Sequence, residues 1–311
     1  MEEKEYHRPV MVSEVVAGLV NHPSGVYVDA TAGGGGHSRA ILKRLSPAGR
    51  LIAIDRDPEA IARLRRIAGE FSGRMTIRHG NFRDLPVLVE GAAEATAVSG
   101  ILFDLGVSSH QIDEPGRGFS YRSNGPLDMR MDCSAGTPAA DLLAQVSEED
   151  LCDMIRRYGE ERAARRISRA ICRRRNCGAL RSTGDLRAAV ESTHPRMPNK
   201  TLARVFQALR IAVNDELKAL ESALGSAVEM LTGKGRLAVI SYHSLEDRLV
   251  KSALAPGLKG CACPPRIPVC RCGGRRSFRT VHQRQTATPA ETAVNPRARS
   301  AGLRIFEKLP V

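Results

Sequence analysis

The feature that most constrains this chain is a glycine run between two apolar strand patterns, within residues 26–55. Residues 26–32 read as a strand, residues 33–36 are four consecutive glycines, and the second strand, residues 51–54, ends at Asp55. Glycine lets the backbone turn sharply and approach a ligand closely. In Rossmann-type units, an acid about 20 residues beyond such a turn accepts the ribose hydroxyls. The pattern therefore predicts a nucleotide-binding βαβ unit with an adenosine-type ligand.

The composition of the glycine loop indicates which adenosine ligand it holds. Phosphate-binding loops carry a lysine or the pattern G-x-x-x-x-G-K-[ST], and residues 33–38 have neither. Asp29, at the end of the first strand, would repel a pyrophosphate and attract a cation, such as the sulfonium group of S-adenosylmethionine. Phe82 follows a third strand pattern, where it could flank an adenine or pack in the core. Asp104 ends a fourth strand, at the edge where open α/β sheets bind ligands.

The spacing of the strand patterns predicts an insertion in the sheet. Strand patterns lie at 26–31, 51–55, 75–79, 98–104 and 236–241. The interval before the last of these far exceeds an ordinary βα connection and has helical but no strand periodicity. We therefore predict an α/β fold with a Rossmann-like sheet and an inserted all-helical, substrate-recognition domain. The boundaries that we expect are 1–114 and 206–311 for the two parts of the core, and 115–205 for the insertion.

Local signals place individual elements within these parts. Asp57 and Pro58 are typical of the N-cap and the first position of a helix. Helical patterns cover 139–158, 160–175, 182–192 and 200–231, the last broken once near Asn214. A final alternating run at 303–309 predicts an edge strand.

The charge balance favours an anionic partner. The 311 residues carry a formal net charge of +13, with a pI near 9.8. Nucleic acid is the leading partner, because no apolar run approaches the ~20 residues that a membrane span needs. The first residues are acidic, unlike a secretory leader, so we expect a cytoplasmic protein without membrane contact.

The eight cysteines raise the question of a metal site. Four of them are scattered, whereas Cys261, Cys263, Cys270 and Cys272 form two C-x-C pairs. Four thiolates could hold a structural zinc ion, although zinc sites usually have the wider C-x2-4-C spacing. The alternative is a cysteine-rich surface loop, and we predict no catalytic metal.

Nine sequence blocks together resemble the RsmH (MraW) family, in the family's order. They are Asp29-Ala30-Thr31, 34–38, 53–58, 80–82, 104–111, 125–132, 206–211, 241–248 and 295–300. The resemblance implies a class I S-adenosylmethionine-dependent methyltransferase that modifies the exocyclic amino nitrogen N(4) of one cytidine in the decoding region of 16S rRNA. By family resemblance this is cytosine 1402. The implied partner is 16S rRNA within the small ribosomal subunit, and a homodimer remains open.

The resemblance also implies the residues that contact S-adenosylmethionine. Carried onto this chain, they are Gly35, Gly36, His37, Asp55, Phe82, Asp104 and Gln111, with Gly34 in the same loop. The physical roles argued above fit most of these positions. His37 and Gln111 rest on the resemblance, because neither side chain by itself reveals a ligand.

Methyl transfer to cytosine needs help at the amino group, whose lone pair is delocalised into the ring. An acceptor must hold the amino hydrogens and place the nitrogen about 3 Å from the methyl carbon. Asp104 is the leading candidate. Related amino methyltransferases place an Asp/Asn/Ser-Pro-Pro-aromatic motif here, and this chain lacks the prolines and the aromatic. Asp104 could therefore hold the cytosine, the methionine ammonium group, or both in turn.

The target base must be unpaired or flipped, and stacked on a side chain. Tyr242, as a catalytic residue, and His243, as a substrate-binding residue, lie at the same predicted sheet edge as Asp104. Phe119 and Tyr121 on the inserted part are an alternative wall. Any of these residues could instead serve in packing.

Basic residues in the insertion are the candidates for RNA contacts. Arg173, Arg174 and Arg175 lie in an arginine-rich stretch that runs from 162 to 181, and a second basic stretch covers 275–304. We predict phosphate contacts for them, with ordinary surface charge as the alternative. Asp128 and Arg130 fit a substrate-binding loop or a structural ion pair.

Two other classes of protein share parts of this pattern. An NAD(P)-dependent oxidoreductase uses the same βαβ unit with a G-x-G-x-x-G fingerprint, whereas residues 33–38 read Gly-Gly-Gly-Gly-His-Ser. A non-catalytic RNA-binding protein could retain the fold alone. The intact glycine loop, Asp55 and Asp104 favour a working site for a sulfonium cofactor.

Overall fold

The computed structural model describes residues 9–90, 98–260, 263, 272 and 274–310. The described residues divide into two compact units: those within 1–106 and 217–311 form one, and 107–216 form the other. In the first unit the helices are α1 (Val12–Leu19), α2 (Gly36–Arg44), α3 (Pro58–Ala68), α4 (Leu85–Glu90), α11 (Glu216–Met230), α12 (Ser244–Lys259) and α13 (Pro289–Val294). Its strands are β1 (Val26–Asp29), β2 (Arg50–Asp55), β3 (Met75–His79), β4 (Val98–Asp104), β5 (Leu231–Ser241), β6 (Phe278–Thr286) and β7 (Gly302–Lys308). In the part of the chain that is described, no helix is both long and apolar enough to cross a bilayer.

The strands of the first unit form one seven-stranded sheet in the order β3-β2-β1-β4-β5-β7-β6. The five strands from β3 to β5 are parallel, and β7 runs antiparallel to both of its neighbours. The order reverses beside β1, and such a switch point is where open α/β sheets bind ligands. The sheet is therefore Rossmann-like, as the sequence predicts.

Both faces of the sheet are covered, because its central strands are apolar on both sides. Tyr27 and Leu51 belong to the core that α1, α2 and α3 complete, whereas Val28 and Ile52 belong to the core of α4, α11 and α12. Such near-continuous apolar strands are typical of buried parallel sheets. The two cores fix the carboxyl ends of β1, β2 and β4 at one edge.

The first βαβ unit forms as predicted. The four early strand patterns are confirmed within two residues at each end. Asp57 caps α3 by accepting a hydrogen bond from the Glu59 N–H at 3.0 Å, and Pro58 is the first residue of that helix. Short-range signals suffice here because each strand and cap is specified by its own neighbours.

The prediction of an edge strand at 303–309 is wrong in one respect. β7 is a strand, but it lies inside the sheet between β5 and β6. The edge strand is β6, whose residues are mostly exposed and polar. A strand that buries so few residues lacks the apolar alternation by which sequence patterns are detected.

The regular elements of the second unit, 107–216, are helices, apart from one isolated bridge between Pro126 and Ser182. It extends beyond the expected range of 115–205 at both ends. Its helices are α5 (Ser109–Asp113), α6 (Ala139–Gln145), α7 (Glu148–Gly159), α8 (Ala164–Asn176), α9 (Thr183–Glu191) and α10 (Pro198–Asn214). A separate apolar cluster, which includes Leu151, Ile167 and Leu209, forms its core.

One helical pattern is divided where the sequence predicts a single helix, and another is divided as predicted. The pattern at 139–158 is two helices, because Ser147 accepts a hydrogen bond from the Asp150 N–H and starts α7. The break expected near Asn214 is confirmed: Asp215 has φ +50° and separates α10 from α11.

Candidate active site

The glycine loop needs glycine for two reasons: its backbone conformation and the close approach of neighbouring side chains. Gly33 and Gly35 have φ of +49° and +78°, the left-handed region that favours glycine. A Cβ on Gly35 would lie 2.4 Å from Ile67 Cδ1, and one on Gly36 would lie 2.5 Å from Pro9 Cγ. Side chains at these positions would displace the loop, so Gly35 and Gly36 set its position against α3 and the segment before α1.

Asp55 accepts hydrogen bonds from two backbone segments, the glycine loop and the turn that follows β2. Its carboxylate accepts hydrogen bonds from the Gly33 N–H at 2.6 Å and from the Asp57 N–H at 2.8 Å. Burial raises the pKa of Asp55 to about 6, and these two backbone bonds oppose the rise. Each oxygen has a second lone pair, so the carboxylate can still accept from a diol.

Asp29 is more deeply buried than its predicted role at the ligand suggests. Its side chain has no exposure and accepts hydrogen bonds from Ser38 Oγ at 2.6 Å and the Thr31 N–H at 3.4 Å. Burial raises the pKa of Asp29, and the nearby His37 opposes the rise. Asp29 therefore holds the first turn of α2 through Ser38, from a position without solvent exposure.

His37 connects the start of α2 to the end of β4. Its Nε2 lies 2.9 Å from the Val10 carbonyl oxygen, and its Nδ1 lies 3.5 Å from Asp104 Oδ2. A carbonyl only accepts, so Nε2 carries a proton. Nδ1 faces the Asp104 carboxylate, so the buried ring lies between the segment before α1 and the end of β4.

Asp104 is held from three sides at the carboxyl end of β4. Its backbone N–H donates to Thr31 Oγ1 at 2.6 Å, and its Oδ1 accepts from the Tyr242 hydroxyl at 2.9 Å. Burial, as the main cause, and the negative charge of Asp104, as the second, raise the pKa of Tyr242 well above 10. The Tyr242 hydroxyl therefore remains protonated and donates. The result is an oriented carboxylate whose side chain is 11% exposed.

Glu246 positions the two residues that follow β5, and sequence analysis missed it. It is 3% exposed, and its Oε2 accepts from the Tyr242 N–H at 2.7 Å and the His243 N–H at 3.2 Å. Its Oε1 lies 3.1 Å from His243 Nε2, and its own N–H donates to His243 Nδ1 at 3.4 Å. The signal was present: an acid three residues beyond the N-cap is a capping box, here with His243 as the cap.

Phe82 lies at the end of the turn after β3. It is half-buried and packs edge-to-face on Phe103, with ring centroids 5.8 Å apart. Asn81 caps this turn by accepting from the Arg83 N–H at 3.0 Å. The contact with Phe103 shows the packing role, and the place of Phe82 beside an adenine stays a prediction.

The structure therefore assembles most of the expected cofactor residues in one unit. The loop glycines, His37, Asp55, Phe82, Asp104, Tyr242 and His243 all belong to the sheet unit. Gln111 belongs to the helical unit, where it forms a capping box with Ser108 at the start of α5. Its Oε1 accepts from the Ser108 N–H at 2.9 Å, and its place at the cofactor stays a prediction.

The other predicted residues of the helical unit have structural partners there. Asp128 forms a bidentate pair with Arg130, at 2.8 and 2.9 Å, and despite burial these bonds lower the pKa of Asp128. Phe119 is buried in the helical core, and Tyr121 packs edge-to-face on Phe206 with centroids 5.7 Å apart. The geometry matches the ion-pair and packing alternatives, and the substrate roles remain predictions.

The run Arg173 to Arg175 divides into two kinds of side chain. Arg174 donates to the Ala179 carbonyl at 2.9 Å and to Asp185 at 3.3 Å. Arg175 donates to the carbonyls of Leu143 and Val146, at 2.9 and 2.6 Å, at the end of α6. Arg173 is exposed. Among the described residues, the side chain of Arg173 makes no hydrogen bond or ion pair of this kind.

The zinc hypothesis cannot be placed on this structure. Cys261 and Cys270 lie outside the described residues. Across the residues that are described, no three histidine, cysteine or acidic side chains form a group that could hold a metal ion.

The strand order and the acids at the ends of β1, β2 and β4 define the Rossmann-like fold of class I S-adenosylmethionine-dependent methyltransferases. A family model described as the MraW methylase family matches residues 4–309, so the chain belongs to that family.

Comparison with known proteins gives similar sequences of similar length. The chain is 47% identical over 309 residues to "Ribosomal RNA small subunit methyltransferase H" of Heliobacterium modesticaldum, covering 98% of this chain and 99% of the relative. It is 48% identical over 306 residues to the protein of the same name from Chromohalobacter salexigens, covering 97% and 92%. Among solved structures it is similar to an rRNA methylase from Streptococcus thermophilus, with a TM-score of 0.40, 11% identity and coverage of 96% and 93%.

Proposed function

We propose that this methylase transfers a methyl group from S-adenosylmethionine to the exocyclic amino nitrogen N(4) of one cytidine in small-subunit ribosomal RNA. By family resemblance the target is cytosine 1402 of 16S rRNA, in the bacterial cytoplasm. The observation that carries the proposal is the oriented Asp104 carboxylate, in a chain whose relatives bear the name of a small-subunit rRNA methyltransferase.

The residues at the sheet edge fit the proposed cofactor. Asp55 can accept both ribose hydroxyls while it holds the backbone of the loop, and the accessible part of Phe82 can flank an adenine. Asp29, Asp55 and Asp104 give the edge acidic side chains on three strands, which favours a cation over a pyrophosphate. When bound, S-adenosylmethionine supplies a methyl group that its sulfonium centre already activates.

Asp104 supplies what the cytosine amino group lacks. A carboxylate oxygen that accepts an amino N–H draws the nitrogen into a fixed position and increases its electron density. Tyr242 occupies one lone pair of Oδ1, and each oxygen retains another that can accept. Asp104 then takes the proton that becomes acidic once the nitrogen carries the methyl group.

Tyr242 and Glu246 act through Asp104 and the turn after β5. Tyr242 fixes the carboxylate by its hydroxyl, and Glu246 fixes Tyr242 by its backbone N–H. We assign both as positioning residues, with the ring of Tyr242 or His243 as the wall on which the flipped base stacks.

Two measurements test this function. Equilibrium dialysis with labelled S-adenosylmethionine and with NADH should give tight binding of the first and none of the second. Incubation with small-subunit RNA that lacks the modification, followed by nucleoside mass mapping, should give N(4)-methylcytidine at one position. NADH binding would favour the oxidoreductase alternative, and a methyl group on ribose or on a ring carbon would refute the proposed acceptor.

A further inference from the structure

The outer face of α8 is a continuous arginine surface. The exposed residues of this helix are Asn176 and four arginines, Arg165, Arg166, Arg169 and Arg173, which we call the arginine face. At 3.6 residues per turn, the four arginines fall within an arc of about 100° and span about 12 Å along the axis. A helix that needs only to be solvated commonly mixes charges of both signs, and α8 contains no acidic residue.

The same helix shows what its arginines do when they stabilise the fold. Arg174 and Arg175 lie outside the arginine face. Arg174 donates to a carbonyl group and to Asp185, and Arg175 donates to two carbonyl groups, all within the helical unit. The arginine face has one acidic contact among the described residues: Arg169 Nε lies 3.5 Å from Glu148 Oε1, and both side chains are about half exposed. The side chains of the other three arginines have no ion-pair or hydrogen-bond partner within the described chain.

The charge on this face is unfavourable for the free protein. Like charges one turn apart destabilise a helix. Arg173, in the last turn, is favoured by the helix dipole, whereas Arg165 and Arg166 lie in the first turn, where the dipole opposes a cation. Apart from the Arg169–Glu148 pair and the position of Arg173 near the helix C-terminus, no contact among the described residues accounts for the arrangement.

The chemistry of the face selects among anionic partners. Guanidinium groups bind phosphate oxygens bidentately, so a phosphate-bearing polymer matches a row of them. A membrane-surface helix would also present apolar side chains beside its basic ones. The apolar residues of α8, including Ile167 and Ile171, are buried in the helical core instead.

We propose that the arginine face binds the phosphate backbone of the RNA substrate and fixes it on the helical unit. This inference rests on the proposed function for the identity of the RNA. It assigns the RNA contact to Arg165, Arg166, Arg169 and Arg173, in place of the run Arg173 to Arg175.

The test is the salt dependence of RNA binding in the full-length protein. The variant Arg165→Gln, Arg166→Gln, Arg173→Gln keeps Arg169, which Glu148 contacts. The control Lys43→Gln, Arg65→Gln, Arg66→Gln removes the same charge from exposed positions on α2 and α3 of the sheet unit. The probe is a labelled small-subunit rRNA fragment that contains the decoding region.

The variant of the arginine face should bind this RNA at least tenfold more weakly at moderate salt. Its log–log salt slope should be smaller by about 0.7 to 0.9 for each lost phosphate contact. The control should change the slope by less than half as much, and both variants should bind S-adenosylmethionine as the parent does. A second variant with lysine at the same three positions should retain the parent slope, because it retains the charge.

Equal slopes for the arginine-face variant and the control would overturn the inference. A weaker binding with an unchanged slope would overturn it as well, because the loss would not come from phosphate contacts. Circular dichroism and urea unfolding, unchanged from the parent, exclude misfolding as the cause. If the parent methylates no small-subunit RNA, the proposed function fails, whereas a parent that methylates with an unaffected variant refutes the arginine face alone.

Discussion

The sheet unit and the helical unit use charged residues in opposite ways. At the sheet edge, Asp29, His37 and Asp104 are mostly buried, and each contacts a neighbouring side chain. On α8, four arginines are turned outward, and the described chain offers them one acidic neighbour. Inward charges cost desolvation and are retained where geometry matters, whereas outward charges cost little and act over a distance.

This difference predicts which property each region controls. Substitutions at the sheet edge should change the rate of methyl transfer or the affinity for the cofactor. Substitutions on the arginine face should change RNA binding and its salt dependence. The following predictions test this assignment of methyl transfer to the sheet edge and of RNA binding to α8.

The largest effect is expected for Asp104→Asn. The amide retains the size of the side chain, but it replaces an acceptor oxygen with a donor and cannot take a proton from the amino group. We expect the single-turnover rate to fall at least ~100-fold, which corresponds to about 2.7 kcal/mol. The matched control is Asp84→Asn at an exposed position. A rate within about threefold of the parent, well under 1 kcal/mol, would remove Asp104 from the chemistry.

A smaller effect is expected on cofactor affinity as the pH changes. Because burial raises the pKa of Asp55 to about 6, its carboxylate is ionised above this pH and protonated below it. Affinity for S-adenosylmethionine should therefore be complete above neutral pH and fall as the pH drops through 6, by about tenfold between pH 7 and pH 5.

The variant Asp55→Asn separates this effect from other titrations. Its affinity should be lower at neutral pH by roughly 1–3 kcal/mol, and it should not fall further near pH 6. Calorimetry at each pH measures both quantities. Parallel pH curves for the variant and the parent would show that another group is responsible.

Tyr242→Phe tests the positioning of Asp104 rather than its chemistry. The change removes the hydroxyl that donates to Asp104 Oδ1 and keeps the ring. The loss of one hydrogen bond to a charged group corresponds to about 1.5 kcal/mol, or about tenfold in kcat, with KM for RNA unchanged if the ring supports stacking. An unchanged kcat would mean that Asp104 is oriented without Tyr242.

The smallest effect concerns stability within the arginine run. Arg175→Gln removes the donors to two carbonyls at the end of α6 and should lower the free energy of unfolding by about 1–2 kcal/mol. Arg173→Gln, two residues earlier and exposed, should stay within about 0.5 kcal/mol of the parent. Urea unfolding compares the two. Equal losses would contradict the separation of structural and outward-facing arginines.

Sequence patterns predicted the parts of the fold that local signals specify. The βαβ unit, the Asp57 cap and the break at Asn214 depend on residues close in the chain, so periodicity and capping rules suffice. β6 was not predicted, because few of its residues are buried and its sequence shows no alternation of apolar and polar residues. The position of β7 inside the sheet was not predicted, because strand order depends on pairing between distant segments, which periodicity does not encode.

In the candidate site as well, most features specified by nearby residues were predicted and features that depend on distant contacts were not. Residues at strand ends, such as Asp55 and Asp104, were predictable because parallel strands bring their carboxyl ends to one edge. Glu246 carries the local signal of a capping box, whereas its hydrogen bond from the Tyr242 N–H depends on the folded turn after β5. The exposed arginines of α8 could be told from Arg174 and Arg175 only once α6 and α9 were in place, because those two arginines reach partners about 30 and 11 residues away.

The most direct test of the division between the two units compares two variants in one methyl-transfer assay over a range of RNA concentrations. The Asp104→Asn protein should have a much lower rate at saturating RNA, with half-saturation at the parent concentration. The arginine-face variant should reach the parent rate at saturating RNA and require at least tenfold more RNA to do so. If the arginine-face variant is slow at saturation while Asp104→Asn only shifts the RNA concentration that is needed, the assignment of chemistry to the sheet edge and of RNA binding to α8 is contradicted.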